Sequence, residues 1–311
     1  MSKYIICDML NIQYPVIQGG MAWVADADLA AAVSNAGGLG LIGAGQMPGE
    51  PFLKEIRKAK TLTNKPFGVN VMLMSPFVEE IMDIIVAERI PVVTTGAGNP
   101  GKYIKRLKEI GARIFPVVAS VALAKKMERM GADGIIAEGL EGGGHVGDLT
   151  TMALLPQVVD AVTIPVIAAG GIADSRGVVA AFALGAQGVQ IGSLFVVAKE
   201  CNAHQNYKDM VLKAKDRSTV VTGHTTGHPV RVLKNLFTRQ FEELERQNAP
   251  VEELEKLGAG KLRLAVVDGD IEYGSVMIGQ IAGMIDEQMT CVEIMQKLMG
   301  NVDAVVARLP K

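Results

Sequence analysis

The stretch EGGGHVG, from Glu141 to Gly147, places a histidine directly after three consecutive glycines. His145 is one of only four histidines in the chain. Its imidazole titrates near neutral pH, so it can donate a proton or orient a substrate. Because glycine loses more backbone freedom on folding than any other residue, ordering this loop is costly. We favour a functional histidine, with Glu138, Glu141 and Asp148 as candidate orienting partners; the alternative is a histidine that caps a helix or is solvated.

Two further glycine-bearing stretches have the composition of phosphate-binding turns. In AAGGIADS, residues 168–175, two glycines follow an apolar run and precede a helix predicted to begin near Asp174. In IGS, residues 191–193, Ser193 adds a hydroxyl to the backbone donors. Glycine turns and helix N-termini present N–H groups that favour anions. The sequence therefore predicts a phosphate site shared by the two turns, although Gly170-Gly171 is also compatible with a plain tight turn.

A third group of residues at the ends of apolar runs is small or carries an amide. It comprises Gly20, Met21, Asn70, Thr95 and Gln190. These residue types leave room for a flat aromatic ring and can hydrogen-bond to its polar edge. Together with a phosphate at the two glycine turns, they are compatible with flavin mononucleotide (FMN).

Two more histidines, His224 and His228, lie four residues apart in HTTGH. Zinc proteases with two histidines at this spacing have a glutamate between them, and this stretch has none. We therefore predict no metal site here, and a role in lining a substrate channel stays open.

The secondary structure must bring these candidate residues together. Eight short, nearly continuous apolar runs alternate with amphipathic helical stretches; they span 15–20, 38–45, 66–73, 92–98, 114–120, 134–139, 165–171 and 188–195. Strands that are buried on both faces have this pattern. Eight of them alternating with helices predict an α/β fold, a closed (β/α)8 TIM barrel. Active sites in such barrels form at the carboxyl ends of the strands, which is where His145 and the glycine turns fall.

After residue 200 the pattern changes to charged helical stretches such as TRQFEELERQ and VEELEKLGAG. We interpret residues 201–273 as a small helical lobe, inserted after the last strand and lying over the barrel mouth. Residues 1–200 and 274–311 then form the barrel domain. Its apolar segment 274–285 is expected to return to the mouth, and 290–309 to form a closing amphipathic helix.

Composition argues against several classes of function. The 311 residues are 49% hydrophobic and 5% aromatic, with a net charge of −2, which disfavours binding to nucleic acid or to an anionic membrane. Cys7, Cys201 and Cys291 are odd in number and far apart, so we expect reduced thiols. With no apolar run long enough for a signal peptide or a membrane span, we expect a cytoplasmic protein.

Six motifs together resemble those of one known family: QGGMAWVADADLAAAVSNAGGLG, KPFGVNVMLMSPF, VVTTGAGNP, AEGLEGGGHVG, IPVIAAGGIAD and GSVMIGQIAG. That family is the FMN-dependent enoyl-acyl carrier protein (ACP) reductase II of bacterial fatty-acid synthesis, a relative of the nitronate monooxygenases (2-nitropropane dioxygenases). The resemblance covers essentially the whole chain, including HTTGHPVR and the helical lobe.

The resemblance implies that NADH or NADPH reduces bound FMN, which then reduces a trans-2-enoyl thioester carried by ACP. It implies that His145 donates the proton to the α-carbon or orients the thioester carbonyl, and it also implies a homodimer and activation by a monovalent cation. The basic residues Lys199, Lys208 and Arg231 are expected at the surface, solvated or facing an acidic carrier. The implied cofactor-binding positions are Gly20, Met21, Ala22, Asn70, Glu138, Gly143, Gly144, Ala169, Gly170, Gly171, Gln190, Gly192, Ser193, Met277 and Gln280.

One departure from the family lies at residues 192–195, which are GSLF where relatives commonly have G-T-R-F. Serine keeps a hydroxyl for phosphate binding, but the arginine is absent. The main alternative function is that of a nitronate monooxygenase, which shares the fold, the FMN and the histidine but oxidises alkyl nitronates with oxygen. An IMP dehydrogenase-like enzyme needs a nucleophilic cysteine after a middle strand, and the chain has none between Cys7 and Cys201.

Overall fold

The computed structural model describes residues 4–310, and eleven strands occur in that range. They are β1 Val16–Gln18, β2 Gly40–Gly43, β3 Phe67–Met72, β4 Val92–Gly96, β5 Arg113–Val118, β6 Ile135–Glu138, β7 Gly144–His145, β8 Val166–Ala169, β9 Gly188–Ile191, β10 Thr219–Thr222 and β11 Val230–Leu233. Each of the eight predicted apolar runs contains one strand.

Eight of these strands form a parallel barrel. They are hydrogen-bonded in the order β1-β9-β8-β6-β5-β4-β3-β2, so β8 and β9 are the seventh and eighth barrel strands. The first and last strands pair directly, with Ile17 opposite Gln190. A parallel bridge between Ile17 and Leu39 joins β1 to β2 and closes the ring. The predicted (β/α)8 fold is confirmed.

Helices alternate with the barrel strands and continue beyond them. They are α1 Ile5–Leu10, α2 Ala27–Asn35, α3 Gly49–Leu62, α4 Val78–Ala87, α5 Gly101–Glu109, α6 Val121–Arg129, α7 Thr151–Val159, α8 Ser175–Ala183, α9 Ser193–Val196, α10 Gln205–Leu212, α11 Leu236–Arg246, α12 Val251–Gly258, α13 Lys261–Val266, α14 Cys291–Met299 and α15 Val302–Ala307, with a 3-10 helix at Gln280–Met284. The predicted closing helix over 290–309 is thus two helices, α14 and α15. In the part of the chain that the structure covers, no helix combines the length and apolarity that crossing a membrane requires.

The barrel interior is apolar at the end opposite to the carboxyl ends of its strands. Alternate strand residues, including Ile17, Phe115 and Ile136, point inward and pack with Ile6 and Leu10 of α1 into one buried cluster. Since the apolar side chains fill this end, the interior is open to polar groups only near the carboxyl ends of the strands.

The sequence had suggested a helical lobe over residues 201–273, but the structure shows strands there as well. Besides α10 to α13 it contains an antiparallel hairpin, in which β10 pairs with β11. On its other edge β11 pairs with β7, which lies in the EGGGHVG loop of the barrel. We call this three-stranded sheet, β10-β11-β7, the roof sheet. Its register places Val230 opposite His145.

Two of the three basic residues expected at the surface are buried. Lys208 donates to the carbonyl oxygens of Ala198 and Cys201 at 2.8 and 2.6 Å. Arg231 donates to Leu140 O at 3.1 Å and to the Thr219 hydroxyl. Carbonyl oxygens of Ala198 and Cys201 accept from Lys208, and that of Leu140 accepts from Arg231, so neither cation is free to meet a carrier.

Candidate active site

A layer of polar side chains lies inside the barrel at the carboxyl ends of the strands. Asn70, Thr94 and Gln190 point inward, because the residues on either side of Asn70 and Gln190, and the one before Thr94, pack in the outer core. Glu138 follows the inward-facing Ile136 by two positions and shares their direction. The Asn70 side-chain amide donates to the Thr94 hydroxyl at 2.8 Å. Asn70, Glu138 and Gln190 were predicted site residues. On β4 the prediction chose Thr95, whereas the residue that points inward is its neighbour Thr94.

The polar layer has hydrogen-bonding capacity left over. Within residues 4–310, two buried side-chain oxygens have no hydrogen-bond partner: Gln190 Oε1, which belongs to this layer, and Thr95 Oγ1, which lies on the opposite face of β4. Leaving a buried polar atom unpaired costs on the order of 1–3 kcal/mol, so a donor supplied by a ligand would stabilise the site.

The loop after β1 lies against this layer. A Cβ at Gly20 would lie 2.2 Å from the Cβ of Asn70, so only glycine allows this approach. Met21 reaches across to β9, where its Sδ would be 3.5 Å from a Cβ at Gly192. Ala22 lies near the end of β2, within 2.9 Å of a Cβ at Gly45. These three positions line one side of the mouth.

Two glycines with positive φ form the turn after β8, and hydrogen bonds through Thr151 connect this turn to the loop after β6. Gly170 and Gly171 have φ of +90° and +76°, a region that other residues enter at a cost. The Thr151 hydroxyl lies 3.0 Å from Gly170 O and 3.0 Å from the Glu141 carboxylate, which also accepts from the Thr151 N–H at 2.8 Å. No sequence motif pointed to Thr151, because its partners lie on two other loops.

The helix that follows this turn is already capped. The carboxylate of Asp174 accepts from the N–H of Arg176 at 2.9 Å and forms an ion pair with the Arg176 side chain. The Arg176 guanidinium and the backbone hydrogen bonds lower the pKa of Asp174, so a negative charge lies at the N-terminus of α8. The Asp174 carboxylate therefore takes up the Arg176 N–H of this helix end, and the phosphate site at the glycine turn before it stays a prediction.

The segment 274–285 closes another side of the mouth. The Gly279 N–H donates to the Ser193 hydroxyl at 3.0 Å, and the Gln280 N–H donates to Glu141 O at 2.9 Å. A Cβ at Gly143 would lie 2.6 Å from the Gly279 nitrogen, so this glycine too is required by a close backbone approach.

Met277 lies in the same segment. Its sulfur would be 3.6 Å from a Cβ at Gly144, and its carbonyl accepts from the Tyr207 hydroxyl at 2.6 Å. It also forms an antiparallel bridge with Val232. The structure thus brings the residues named as cofactor-binding positions, from Gly20 to Gln280, around one mouth, whereas Thr95 faces the other side of β4.

His145 stands on the roof sheet above this mouth, and its side chain keeps a solvent-exposed edge. Desolvation by the surrounding protein lowers the pKa of His145, and the charge of His228 lowers it further. Among the expected orienting partners, Glu141 is instead bonded to Thr151. Below, desolvation raises the pKa of Glu138 to about 7. The site therefore combines a neutral imidazole with a carboxyl group that is partly protonated at neutral pH.

No group of three or more His, Cys, Asp or Glu side chains among the described residues could hold a metal ion. Cys7, Cys201 and Cys291 are all buried.

Sequence similarity over most of the chain identifies the family to which this closed (β/α)8 barrel with a polar, glycine-lined mouth belongs. The chain belongs to the nitronate monooxygenase family, whose model matches residues 3–85 and 74–301. Members of this family are flavin-dependent oxidoreductases.

Several members of the family are similar to this chain over nearly their full length. FabK from Thermotoga maritima is 48% identical, with a TM-score of 0.96, over 99% of this chain and 98% of that one. A probable nitronate monooxygenase of Staphylococcus aureus is 34% identical over 90% of this chain and 92% of its own. A (3aS,4S,5R,7aS)-5-hydroxy-7a-methyl-1-oxo-octahydro-1H-indene-4-carboxyl-CoA dehydrogenase of Mycobacterium tuberculosis is 33% identical, over 96% and 95%. A nitroalkane oxidase of Streptomyces ansochromogenes is 27% identical, with a TM-score of 0.87, over 98% and 99%.

Proposed function

We propose that the protein is an FMN-dependent enoyl-ACP reductase II that uses NADH or NADPH to reduce trans-2-enoyl thioesters. The observation that carries this proposal is the full-length similarity to FabK, which is an enoyl-ACP reductase II, at 48% identity and a TM-score of 0.96. The similarity to a dehydrogenase named for a carboxyl-CoA compound also supports a thioester substrate.

The residues around the mouth fit FMN. The unpaired Gln190 oxygen and the Asn70 amide lie at the barrel end, where they would hydrogen-bond to the edge of a flat ring. Gly20, Gly192 and the glycine pair 170–171 keep the backbone close and free of side chains. The Ser193 hydroxyl accepts from Gly279, and its own hydrogen remains available for a phosphate oxygen.

Bound FMN would supply the redox chemistry, accepting hydride from the nicotinamide and passing hydride to the β-carbon of the enoyl thioester. His145 would hold the thioester carbonyl oxygen, on which negative charge develops during this transfer. Its lowered pKa favours the neutral imidazole, which carries one N–H donor. Orientation of the carbonyl is therefore the role we assign to His145. The proton that the α-carbon takes up to complete the reduction would come from solvent, to which the His145 side of the mouth is exposed.

Glu138 would lie beneath the ring, on the barrel side of the mouth. Because its pKa is raised to about 7, it can present a hydroxyl donor as well as an acceptor to the ring. The acyl chain would arrive on ACP, and a homodimer and activation by a monovalent cation stay predictions from the family resemblance.

A nitronate monooxygenase is the second candidate, favoured by the family model and by the Staphylococcus relative. The two functions share FMN and differ in what meets the reduced cofactor, an enoyl thioester or oxygen with a nitronate.

The deciding experiment is anaerobic oxidation of NADH, and separately of NADPH, by the FMN-loaded protein with and without a trans-2-enoyl-ACP. We expect strong stimulation by the thioester. His145→Gln is expected to lower kcat on the order of 100-fold while FMN remains bound. His224→Gln, an exposed histidine of the lobe, is the matched control and should keep the wild-type rate. Absence of stimulation, with oxygen uptake only when a nitronate is added, would assign the protein to the monooxygenases.

A further inference from the structure

His228 lies beside His145 at the end of the roof sheet. The pairing of β7 with β11 ends at Val230, and the chain just before it stays in register because the Val146 N–H donates to Pro229 O at 3.1 Å. The His145 and His228 rings then meet edge to face, with centroids 6.5 Å apart and planes at 81°. The two imidazoles come from segments more than 80 residues apart in the chain.

The turn that carries His228 is fixed by a carboxylate from another element. Glu245, on α11, accepts from the Gly223 N–H at 3.1 Å and from the Thr225 N–H and hydroxyl at 3.1 and 2.9 Å. Inside the turn, the Thr226 hydroxyl donates to Gly223 O at 2.8 Å and accepts from the His228 N–H at 3.3 Å. These bonds hold an otherwise polar, exposed loop in one conformation, so the place of the His228 ring is set by α11.

Other charged groups near His145 are engaged or turned away. The charged or titratable side chains on the elements around it are Glu138, Glu141, Asp148 and Arg231. Glu141 is bonded to the first residue of α7, and Arg231 to Leu140 O and to β10. Asp148 is exposed, and the Glu138 carboxylate lies inside the mouth at the end of β6, where it would be 3.1 Å from a Cβ at Gly142. His228 is the titratable group whose charge acts on His145.

We propose that His228, held by the turn that Glu245 anchors, is a positioning residue that fixes the orientation and the charge of the His145 ring toward the thioester. This inference rests on the proposed function. The edge-to-face contact restricts rotation of the His145 ring. A positive charge on His228 would lie 6.5 Å from the His145 ring and disfavour a second positive charge there. It adds to desolvation in favouring the neutral imidazole, whose single N–H serves the carbonyl oxygen.

The test compares His228→Gln and Glu245→Gln with two controls from the same elements, His224→Gln and Glu242→Gln, whose side chains are exposed. Steady-state enoyl reduction is measured from pH 5 to 9, together with anaerobic reduction of bound FMN by the nicotinamide alone. Because the neutral form of His145 is the active one, kcat/KM falls as pH falls through its pKa. In His228→Gln this acid limb is expected to move to higher pH, and kcat/KM above the limb to fall on the order of tenfold.

Glu245→Gln should produce a smaller loss in the same direction, because the turn keeps part of its hydrogen bonding. FMN reduction by the nicotinamide should be unchanged in all four variants, which separates a role toward the thioester from general damage. If His228→Gln has the same pH profile and kcat/KM as His224→Gln, the positioning role is refuted.

An NMR titration of the His145 imidazole in isotopically labelled protein tests the proposal without turnover. The His145 pKa should be higher in His228→Gln than in wild type. If the wild type fails to reduce enoyl thioesters but this shift is present, the proposed function fails and the coupling between the rings stands; if the shift is absent, the coupling itself is refuted.

Discussion

Gly171 offers a sharp test of the turn after β8. The φ of this residue is +76°, and a Cβ there would lie 3.4 and 3.5 Å from Cβ and Cγ of Glu141. The methyl group of Gly171→Ala would thus make ordinary contacts, so steric overlap is not the main cost. The cost comes from the left-handed backbone, at about 1–2 kcal/mol for a residue other than glycine.

Gly111 provides a matched control. It has nearly the same backbone angle, +79°, and a Cβ there would meet nothing within 4 Å; it also lies before β5, at the opposite end of the barrel. Gly111→Ala and Gly171→Ala should therefore lose similar stability as apoproteins, a decrease in Tm of about 2–4 °C. Only at Gly171 would relief of the strain redirect N–H groups that we assign to the phosphate.

Losing one charge-assisted hydrogen bond to a phosphate costs about 1.5–3 kcal/mol, which raises the Kd for FMN on the order of tenfold to 100-fold. The assay is titration of both apoproteins with FMN, followed by flavin fluorescence, and the flavin content of the purified proteins. We expect Gly111→Ala to be yellow with the wild-type Kd and Gly171→Ala to be largely colourless. Equal FMN affinity in the two variants would refute the assignment of the phosphate to this turn.

Two further changes test other parts of the site. Burial raises the carboxyl pKa of Glu138 from 4.5 to about 7, so the stability of the wild type falls as pH rises through that window. Glu138→Gln should therefore be more stable than wild type at pH 8, on the order of 3 kcal/mol in the apoprotein. Tm measured from pH 4 to 9 should vary less with pH in the variant, and parallel curves would contradict the burial argument. Tyr207→Phe removes the hydrogen bond to Met277 O at a cost of about 1 kcal/mol. Amide hydrogen exchange should therefore speed up at residues 275–280 and stay at the wild-type rate at residues 290–299. Unchanged exchange at 275–280 would show that the Tyr207 hydroxyl does not hold this segment.

The barrel was predictable from sequence because its signal is local. Each strand is a short apolar run, and the rule that sites form at carboxyl ends then places residues such as Asn70, Glu138 and Gln190 at one mouth. The roof sheet was not predictable, because β11 and β7 are short and their pairing joins distant parts of the chain. Neither strand has an alternating pattern long enough to stand out beside the charged helices that flank the hairpin.

The same distinction separates correct from wrong predictions for single residues. Lys208 and Arg231 were expected at the surface because nothing adjacent in sequence pairs with them; their partners are carbonyl groups supplied by the tertiary fold. Asp174 is a contrary case, since an N-cap is a local feature. Its carboxylate accepts from the Arg176 N–H, so that one donor of the helix end is not available to a phosphate.

The strand pairing of His145 also has a consequence for the order in which the protein is built. All eight barrel strands are complete once residue 191 has been synthesised, but the strand that positions His145 awaits residues 230–233, and these in turn bond to Val276 and Met277. Contacts so distant in sequence form late, because closing long loops costs entropy before any contact is gained. A nascent chain would therefore form the polar mouth of the barrel before it forms the roof sheet that carries His145. Maturation of the site would then be a separate event from maturation of the fold, completed only when the last quarter of the chain returns to the mouth.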